Sequence, residues 1–332
     1  MDSVVPLLIV LAIAVAGFLG CSTSSLRPVF GILIPYLAFG IFLAGFIFKV
    51  INWVRSAVPF RIPVTCGQQK SLPWIKAAWI ENPSTGWGTF VRMALEVLLF
   101  RSLFRNSKTE LRSGPRLTYA ESKFLWLAAL AFHWSLLLIL IRHLRYFLLP
   151  VPGLVYFLDR WDGFFQVGAP ALYVTDILVF AGLLYLLGRR LLDAQVRYLS
   201  LPADYLALFL LLGVVTTGLL MRYMWKVDLA GAKQLMLGLA AFSPAIPATV
   251  GPLFFVHLTL VSALGAYFPF SKLMHLAGTF LSPTHNLANN NRRRRHVNEW
   301  DYPVKVHTYE EWEDEFRDKI RAAGLPLEVN KP

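Results

Sequence analysis

Long apolar runs separated by polar loops dominate this chain. An apolar stretch of about 20 residues is long enough to cross the hydrocarbon core of a bilayer as a helix. Runs of this kind predict six transmembrane helices, at about residues 4–20, 30–54, 124–149, 171–190, 204–224 and 251–271. The pattern therefore predicts an all-α membrane protein, a bundle of about six transmembrane helices.

Composition supports this fold class and indicates how the chain is organised. Of its 332 residues, 56% are hydrophobic and only 16% are charged, which excludes an ordinary soluble domain. We expect an N-terminal helix and outer loop in residues 1–28 and a membrane domain in residues 29–276. A long connection, residues 55–123, interrupts the membrane domain, and residues 277–332 form a polar tail.

The first apolar run has two interpretations. The sequence FLGCS at 18–22 resembles the small-residue box that precedes a lipid-modified cysteine in a cleaved signal. The chain begins MDSVVP, however, without the Lys or Arg of a signal-peptide n-region. We favour a retained helix, and a cleaved signal is the alternative.

The distribution of the net charge, +12, predicts the topology. The connection 55–123 holds eleven Lys or Arg against four Glu, and residues 272–332 hold ten Lys or Arg, whereas 149–171 contains only Arg160. Because Lys and Arg close to the ends of spanning helices favour the inner side, the connection and both termini are expected in the cytoplasm. The basic charge thus indicates an inner membrane protein in contact with lipid and does not indicate nucleic-acid binding.

Residues 90–104 are apolar but include Arg92, Glu96 and Arg101. This pattern predicts a helix lying on the inner membrane surface or against a partner, and argues against a crossing helix. Farther along, TYAE at 118–121 fits a capping box and predicts that the third spanning helix begins near residue 119.

After the sixth run the composition changes to Asn-rich and Arg-rich sequence. Residues 308–320, TYEEWEDEFRDKI, could form a short charged helix. The tail is either a partner-docking arm, which we favour, or a disordered extension.

The seven histidines fall into two groups. His285, His296 and His307 belong to the tail, where we expect solvated or surface-packed side chains. The other four lie within or at the ends of two apolar runs: His133, His143, His257 and His275. An ionisable side chain in a membrane helix costs several kcal/mol unless it is paired, so these four mark a candidate functional site.

Depth in the membrane predicts which histidines meet. The third run passes from inside to outside and places His143 roughly 15 Å beyond His133. The sixth run returns inward, so His257 lies in the outer half and His275 near the inner face. We therefore pair His143 with His257 and His133 with His275. The second spacing would span about 27 Å in a straight helix, and tilt together with a kink at Pro269 must absorb the difference.

Two pairs of imidazoles on facing helices are what bis-histidine ligation of two haems b requires. Other metal chemistry fits less well. The two cysteines cannot ligate an iron–sulfur cluster, a C-x-x-C-H motif is absent from the sequence, and each histidine pair lacks the further ligands that zinc needs. A proton pathway in a transporter stays open as an alternative, although such relays usually include acids at depth, and Asp176 is the main candidate here.

The histidine spacings, ten residues and then eighteen, resemble the gamma subunit family of respiratory nitrate reductase. These are five-helix dihaem cytochromes b that oxidise quinol, and the resemblance covers about residues 29–276. The strings VPFRIPVTCGQQKSLPW and ENPSTGWGTFVRMALEVLLFRSLFRN resemble DsrM, a family of cytochrome b subunits of the membrane complex associated with dissimilatory sulfite reduction.

The resemblance implies cofactors, partners and site residues. The axial haem ligands would be His133, His143, His257 and His275. Menaquinol would be oxidised near the outer haem, with electrons passing inward to a cytoplasmic iron–sulfur subunit related to heterodisulfide reductase, alongside further membrane and cytochrome c subunits. Candidate contacts to haem propionates or quinone are Arg142, Arg145 and Arg222, with Arg160 and Asp162 as further quinone candidates. A haem-containing membrane anchor without a quinone site is the alternative.

Overall fold

The computed structural model describes residues 3–56, 58, 70, 74, 76–105, 108–114, 116–120, 122–166, 170–290 and 307–328. Five helical stretches in this part of the chain are long and apolar enough to cross a membrane. They are Val4–Ser22, Val29–Val54, Lys123–Tyr146, Pro202–Met224 and Pro252–Phe270. Five of the six predicted runs are thus confirmed as helices of spanning length.

Fourteen α-helices and four β-strands are assigned in the described residues. The helices are α1 Val4–Ser22, α2 Ile34–Val54, α3 Gly86–Leu99, α4 Arg101–Phe104, α5 Lys123–His143, α6 Gly153–Asp162, α7 Val174–Leu192, α8 Ala194–Leu199, α9 Pro202–Leu219, α10 Leu229–Ala240, α11 Pro252–Tyr267, α12 His275–Leu281, α13 Pro283–Asn286 and α14 Tyr309–Ala322. The strands are β1 Lys108–Arg112, β2 Arg116–Ala120, β3 Gly163–Phe165 and β4 Leu172–Tyr173. Short 3₁₀ or π turns adjoin several of the long helices.

Helix α7 corresponds to the fourth predicted run. It is 19 residues long, but it carries Asp176 in its first turn and Arg189 and Arg190 in its last. These three charges set it apart from the five apolar helices. A sixth crossing at α7 therefore stays a prediction.

The long helices pack in the order α5, α7, α9 and α11, with α1 against both α9 and α11 and α2 against α11. Helix α9 is central, because one apolar cluster joins it to α5 and α7 and a second joins it to α1 and α11. Helices α9 and α11 both have a proline in their first turn. Proline is favourable there because the backbone N–H groups of the first turn have no acceptor within the helix. On the outside of α1 and α2, large apolar side chains such as Leu19 and Phe48 stay exposed, as expected for a lipid-facing surface.

Helix α1 fits closely against α11. A Cβ placed on Gly17 would lie 2.9 Å from the Thr259 Oγ1 atom and 3.3 Å from the Val256 Cα atom. Glycine is therefore required at this contact. Retention of the first helix is not tested by this packing and stays a prediction.

The predicted helix start at 118–121 is wrong. Strand β2 occupies Arg116–Ala120 and pairs antiparallel with β1, and α5 begins only at Lys123. The Thr118 hydroxyl donates to the Glu110 carbonyl across this hairpin and does not cap a helix. Pairing with β1 through a turn that contains Gly114, at φ +85°, outweighs the local capping pattern.

The apolar segment at 90–104 is helical, as predicted, but it forms two helices. Helix α3 ends at Leu99, Phe100 adopts a left-handed conformation, and α4 follows at once. On α3 the charged residues Arg92 and Glu96 are buried, whereas Trp87 and Phe90 are exposed. The position of this segment relative to the membrane surface stays a prediction.

The sixth run breaks at Pro269. Helix α11 ends at Tyr267, two 3₁₀ turns follow at Phe268–Phe270 and Lys272–Met274, and His275 begins a new helix. The eighteen residues between His257 and His275 therefore do not follow one straight helix. This break accounts for the unequal histidine spacings.

The structure describes two parts of the tail: a segment that includes Asn289 and a segment that includes α14. Asn289 binds the connection, because its backbone N–H donates to the Pro83 carbonyl at 2.7 Å and its side-chain amide donates to Asn82. The predicted charged helix is confirmed as α14, which a Thr308–Glu311 capping box begins. Most of VPFRIPVTCGQQKSLPW and the four consecutive arginines after residue 291 lie outside the described residues.

Candidate functional site: two histidine pairs

The inner pair consists of His133 on α5 and His275 at the start of α12. The centroids of their rings are 5.9 Å apart, and the ring planes are nearly perpendicular. The Nδ1 atom of His133 lies 2.7 Å from the Ala129 carbonyl, and that of His275 lies 2.8 Å from the Lys272 carbonyl. A carbonyl can only accept, so in both rings Nδ1–H donates and the Nε2 lone pair is left for a metal.

The outer pair that the sequence predicts consists of His143 at the end of α5 and His257 on α11. The His143 Nδ1 atom lies 2.7 Å from the Ile139 carbonyl. The His257 Nδ1 atom lies 2.9 Å from Thr217 Oγ1 on α9. The rings of His133 and His275 therefore lie together, and the haem-ligand pairing of all four histidines stays a prediction.

Thr217 fixes the orientation of His257 although it was absent from our candidate residues. Its single hydroxyl hydrogen is directed to the carbonyls of the preceding turn, including Gly213 at 2.7 Å. The oxygen must therefore accept from His257 Nδ1–H. The adjacent Gly218 leaves room beside the ring, since a Cβ there would lie 3.5 Å from His257 Cε1. A hydroxyl residue within an apolar span was the sequence signal that could have identified this role.

The four imidazoles fit axial ligation of haem iron. Two bonds of about 2 Å and the ring radii require roughly 6 Å between the centroids of two axial imidazoles, close to the separation in the inner pair. In the described residues no cluster of three or more His, Cys, Asp or Glu side chains could hold a metal ion. The inner pair thus offers two neighbouring imidazoles and no third ligand, which suits a metal whose remaining ligands come from a macrocycle and does not suit zinc.

A network of ion pairs lies at the outer end of the bundle, beside His143. Arg142 is buried and contacts Asp162 at 2.8 Å and Asp176 at 3.2 Å, and it donates to the Thr175 hydroxyl. Asp162 also accepts from Thr175, whose backbone N–H lies 2.9 Å away. Because buried charges require partners, this network compensates the burial of Arg142.

Tyr173 joins a second set of charges to this network. Its ring lies between the guanidinium groups of Arg142 and Arg222, at 3.9 and 3.8 Å from the ring centroid. Its hydroxyl donates to Asp159, which is also the partner of Arg145. Cation–π contacts of this kind hold both guanidinium planes parallel to the ring.

Five residues were predicted to contact haem propionates or quinone, and the structure gives their positions. Arg142, Arg222 and Asp162 lie in one connected cluster, and Arg145 joins it through Asp159 and Tyr173. Arg160 is exposed on α6. Sequence reasoning missed Asp159, Tyr173 and Tyr223, whose hydroxyl donates to Asp176 at 2.8 Å. The sequence signal that could have identified these three residues was an acidic or tyrosine side chain near the predicted outer end of a spanning helix.

A smaller ion-pair group fixes the inner end. Asp204 at the start of α9 is buried and binds the Lys272 ammonium at 2.8 Å, with Arg190 at 3.7 Å. The Lys272 carbonyl is the group that orients His275. This contact therefore ties the turn before His275 to α9.

Two of the three tail histidines, His285 and His307, lie in the described residues. His307 lies beside Glu315 and is partly exposed, and His285 belongs to α13. His296 lies outside the described residues.

Apolar helices of spanning length that carry Nδ1-anchored histidines are typical of multi-pass membrane cytochromes b. Residues 85–293 match the nitrate reductase gamma subunit family. The chain belongs to this family of membrane electron-transfer subunits.

Two relatives are similar over most of their length. The Hdr-like menaquinol oxidoreductase cytochrome b-like subunit of Archaeoglobus fulgidus is 45% identical over 280 residues, which cover 82% of this chain and 83% of that protein. The protein of the same name from Archaeoglobus profundus is 44% identical over 309 residues, covering 90% of this chain and 88% of the relative. The likeness extends beyond the family match to most of the chain.

Proposed function

We propose that this chain is the dihaem cytochrome b subunit of a membrane redox complex. It would exchange electrons between the menaquinone pool and a cytoplasmic iron–sulfur subunit related to heterodisulfide reductase. The observation that carries the proposal is the set of four histidines, each fixed at Nδ1 and grouped into two facing pairs. A proton pathway would not require two such pairs.

The histidines and the charged clusters have separate roles in this proposal. His143 and His257 would hold an outer haem b, and His133 and His275 an inner one. When bound, each haem b would supply one-electron redox chemistry at its iron. The four anchored rings would set the position of each haem. Burial and nearby charge would set the redox potential of each haem.

The Arg–Asp cluster beside His143 is the region where we place menaquinol and the outer propionates. Arginine binds carboxylates in a two-pronged geometry, so Arg222 and Arg145 at the accessible edge of the cluster are suitable propionate contacts. Arg142 and Asp162 bind each other and would act by holding this edge in place. Arg160, exposed on the neighbouring α6, is the candidate for direct quinone contact.

The finer identity and the partners belong to the same proposal. The two relatives are named as subunits of menaquinol oxidoreductases that are Hdr-like, which supports both menaquinol and a heterodisulfide reductase-like partner. We place that partner on the cytoplasmic connection 55–123 and the tail, with further membrane and cytochrome c subunits in the complex. Membership of the DsrM family, and hence a role in dissimilatory sulfur metabolism, is part of the proposal.

Haem quantitation on the full chain, purified with the subunits that accompany it, tests the proposal. We expect two haems b per chain and the reduced-minus-oxidised bands of low-spin haem b. His307→Ala, in the tail, is the matched control and should keep both haems. A colourless preparation would contradict the proposal and favour a transporter or proton pathway.

A second measurement separates quinol oxidation from a plain anchoring role. A menaquinol analogue should reduce the haems of the wild-type complex and fail to do so in His143→Ala, because the outer haem would be lost. Normal haem reduction in this variant would show that electrons do not enter through the outer pair.

A further inference from the structure

Phe100 connects α3 to α4 in a conformation that is unusual for a bulky residue. Its φ and ψ angles, 50° and 46°, lie in the left-handed helical region. Bulky non-glycine residues rarely adopt this conformation, and it persists only where the surroundings fix it. Such a residue points to a role for the side chain that the turn presents.

Two carboxylates, of which Glu96 is buried and Glu81 partly buried, hold this turn. Glu96 accepts hydrogen bonds from both the backbone N–H and the hydroxyl of Ser102. Glu81 binds Arg101 at 2.6 Å and Arg105 at 2.7 Å on the far side of the turn. The ends of α3 and α4 are therefore fixed by charge-assisted hydrogen bonds.

The hairpin formed by α3 and α4 is also fastened to α5. The indole N–H of Trp134 donates to the Leu98 carbonyl at 3.0 Å, and that of Trp126 donates to the Leu99 carbonyl at 2.7 Å. These bonds satisfy carbonyls that the end of α3 would otherwise leave without partners. The turn is thereby held level with the middle of α5, next to His133.

The ring that the turn presents contacts His133. Its centroid lies 5.0 Å from that of His133 in an edge-to-face arrangement. Phe132 makes a similar contact with His133 at 4.8 Å. The imidazole is thus flanked by two aromatic rings, in addition to its Nδ1 bond to Ala129 and its approach to His275.

We propose that Phe100 is a positioning residue for the inner histidine pair, closing it against water from the cytoplasmic side and restricting rotation of the His133 ring. The proposal rests on the proposed function, because it assigns a haem to this pair. Water near a haem stabilises the charged ferric form, so removal of the ring should lower the potential of the inner haem. Edge-to-face packing supplies the restriction on the ring.

Redox titration and electron paramagnetic resonance of the full chain in its complex test this role. Phe100→Gly removes the ring while suiting the left-handed backbone, so the turn should be kept. We expect one haem to shift to a lower midpoint potential with a changed ferric signal, and the other to stay unchanged. Phe100→Tyr should restore both properties to wild-type values. Phe104→Leu, in the same hairpin but in contact with Trp126, should alter neither haem.

Unchanged potentials and signals in Phe100→Gly, with both haems bound, would overturn this role and leave the proposed function standing. Wild-type protein without haem b would instead overturn the proposed function and this inference together. If the glycine variant loses both haems, Phe100→Leu repeats the comparison with an apolar side chain of similar bulk. A wild-type ferric signal and midpoint potential in Phe100→Leu would then overturn the positioning role of Phe100. A lower midpoint potential of the inner haem in that variant would support it.

Discussion

Hydrogen bonds at Nδ1 orient all four imidazoles, but the acceptors differ in kind. Three are backbone carbonyls three or four residues earlier in the chain, at Ala129, Ile139 and Lys272. The fourth, for His257, is the Thr217 hydroxyl on the neighbouring helix α9. Side-chain substitution can therefore remove only this last acceptor, which makes His257 the one ring whose anchoring can be tested directly.

Replacing Thr217 by valine keeps the shape of the side chain and removes the acceptor. His257 also has a hydrogen bond to the Val214 backbone, so the variant removes one of two groups that orient the ring. Loss of a group that orients a metal ligand typically weakens metal binding roughly 10–100-fold. We expect Thr217→Val to lose the outer haem more readily on dilution, measured by haem content and by the optical spectrum.

Two variants control this test. Thr217→Ser keeps the hydroxyl and should retain both haems. Thr216→Val removes a neighbouring hydroxyl that is not bonded to His257 and should behave like the wild type. Equal haem retention in Thr217→Val and wild type would show that the hydroxyl does not orient a ligand.

At the scale of elements, the apolar runs predicted most of the long helices because length and hydropathy alone determine whether a segment can cross a bilayer. Depth and helix direction also predicted that His133 lies near His275, and the two rings are in contact. The β1–β2 hairpin was not, because Thr118 fits a capping box locally and only pairing with β1 decides the outcome. The contact of Phe100 with His133 joins segments far apart in sequence and has no local signal.

The close fit of α1 to α11 gives a prediction at the same scale. Gly17→Val would place side-chain atoms against Thr259 and Val256, next to His257. Overpacking of this kind costs about 1–3 kcal/mol, so we expect a lower melting temperature in detergent and weaker retention of the outer haem. Gly40→Val is the matched control on α2, because nothing lies within 4 Å of a Cβ at that position. Equal melting temperatures for the two variants would mean that α1 does not pack as described.

At the scale of the whole molecule, the bundle brings together residues that enter from opposite sides of the membrane. Helix α5 supplies one histidine to each pair, whereas α11 supplies His257 and the segment after the break at Pro269 supplies His275. Each proposed haem site thus requires α5 and the last spanning segment. Asp176 joins α7 to α5 through an ion pair with Arg142. Asp204 joins α9 to the last spanning segment through an ion pair with Lys272.

Non-additivity of double variants tests this arrangement. If His133 and His275 hold one haem, the double variant His133→Ala/His275→Ala should bind the same amount of haem as either single variant, about half the wild-type content. Substituting one histidine of each pair, as in His133→Ala/His143→Ala, should abolish haem binding. Residues that act as one unit show this pattern, whereas independent sites add. Loss of all haem from the double variant His133→Ala/His275→Ala, with one haem retained by His133→Ala/His143→Ala, would instead assign the two histidines of α5 to the same haem and refute the antiparallel pairing.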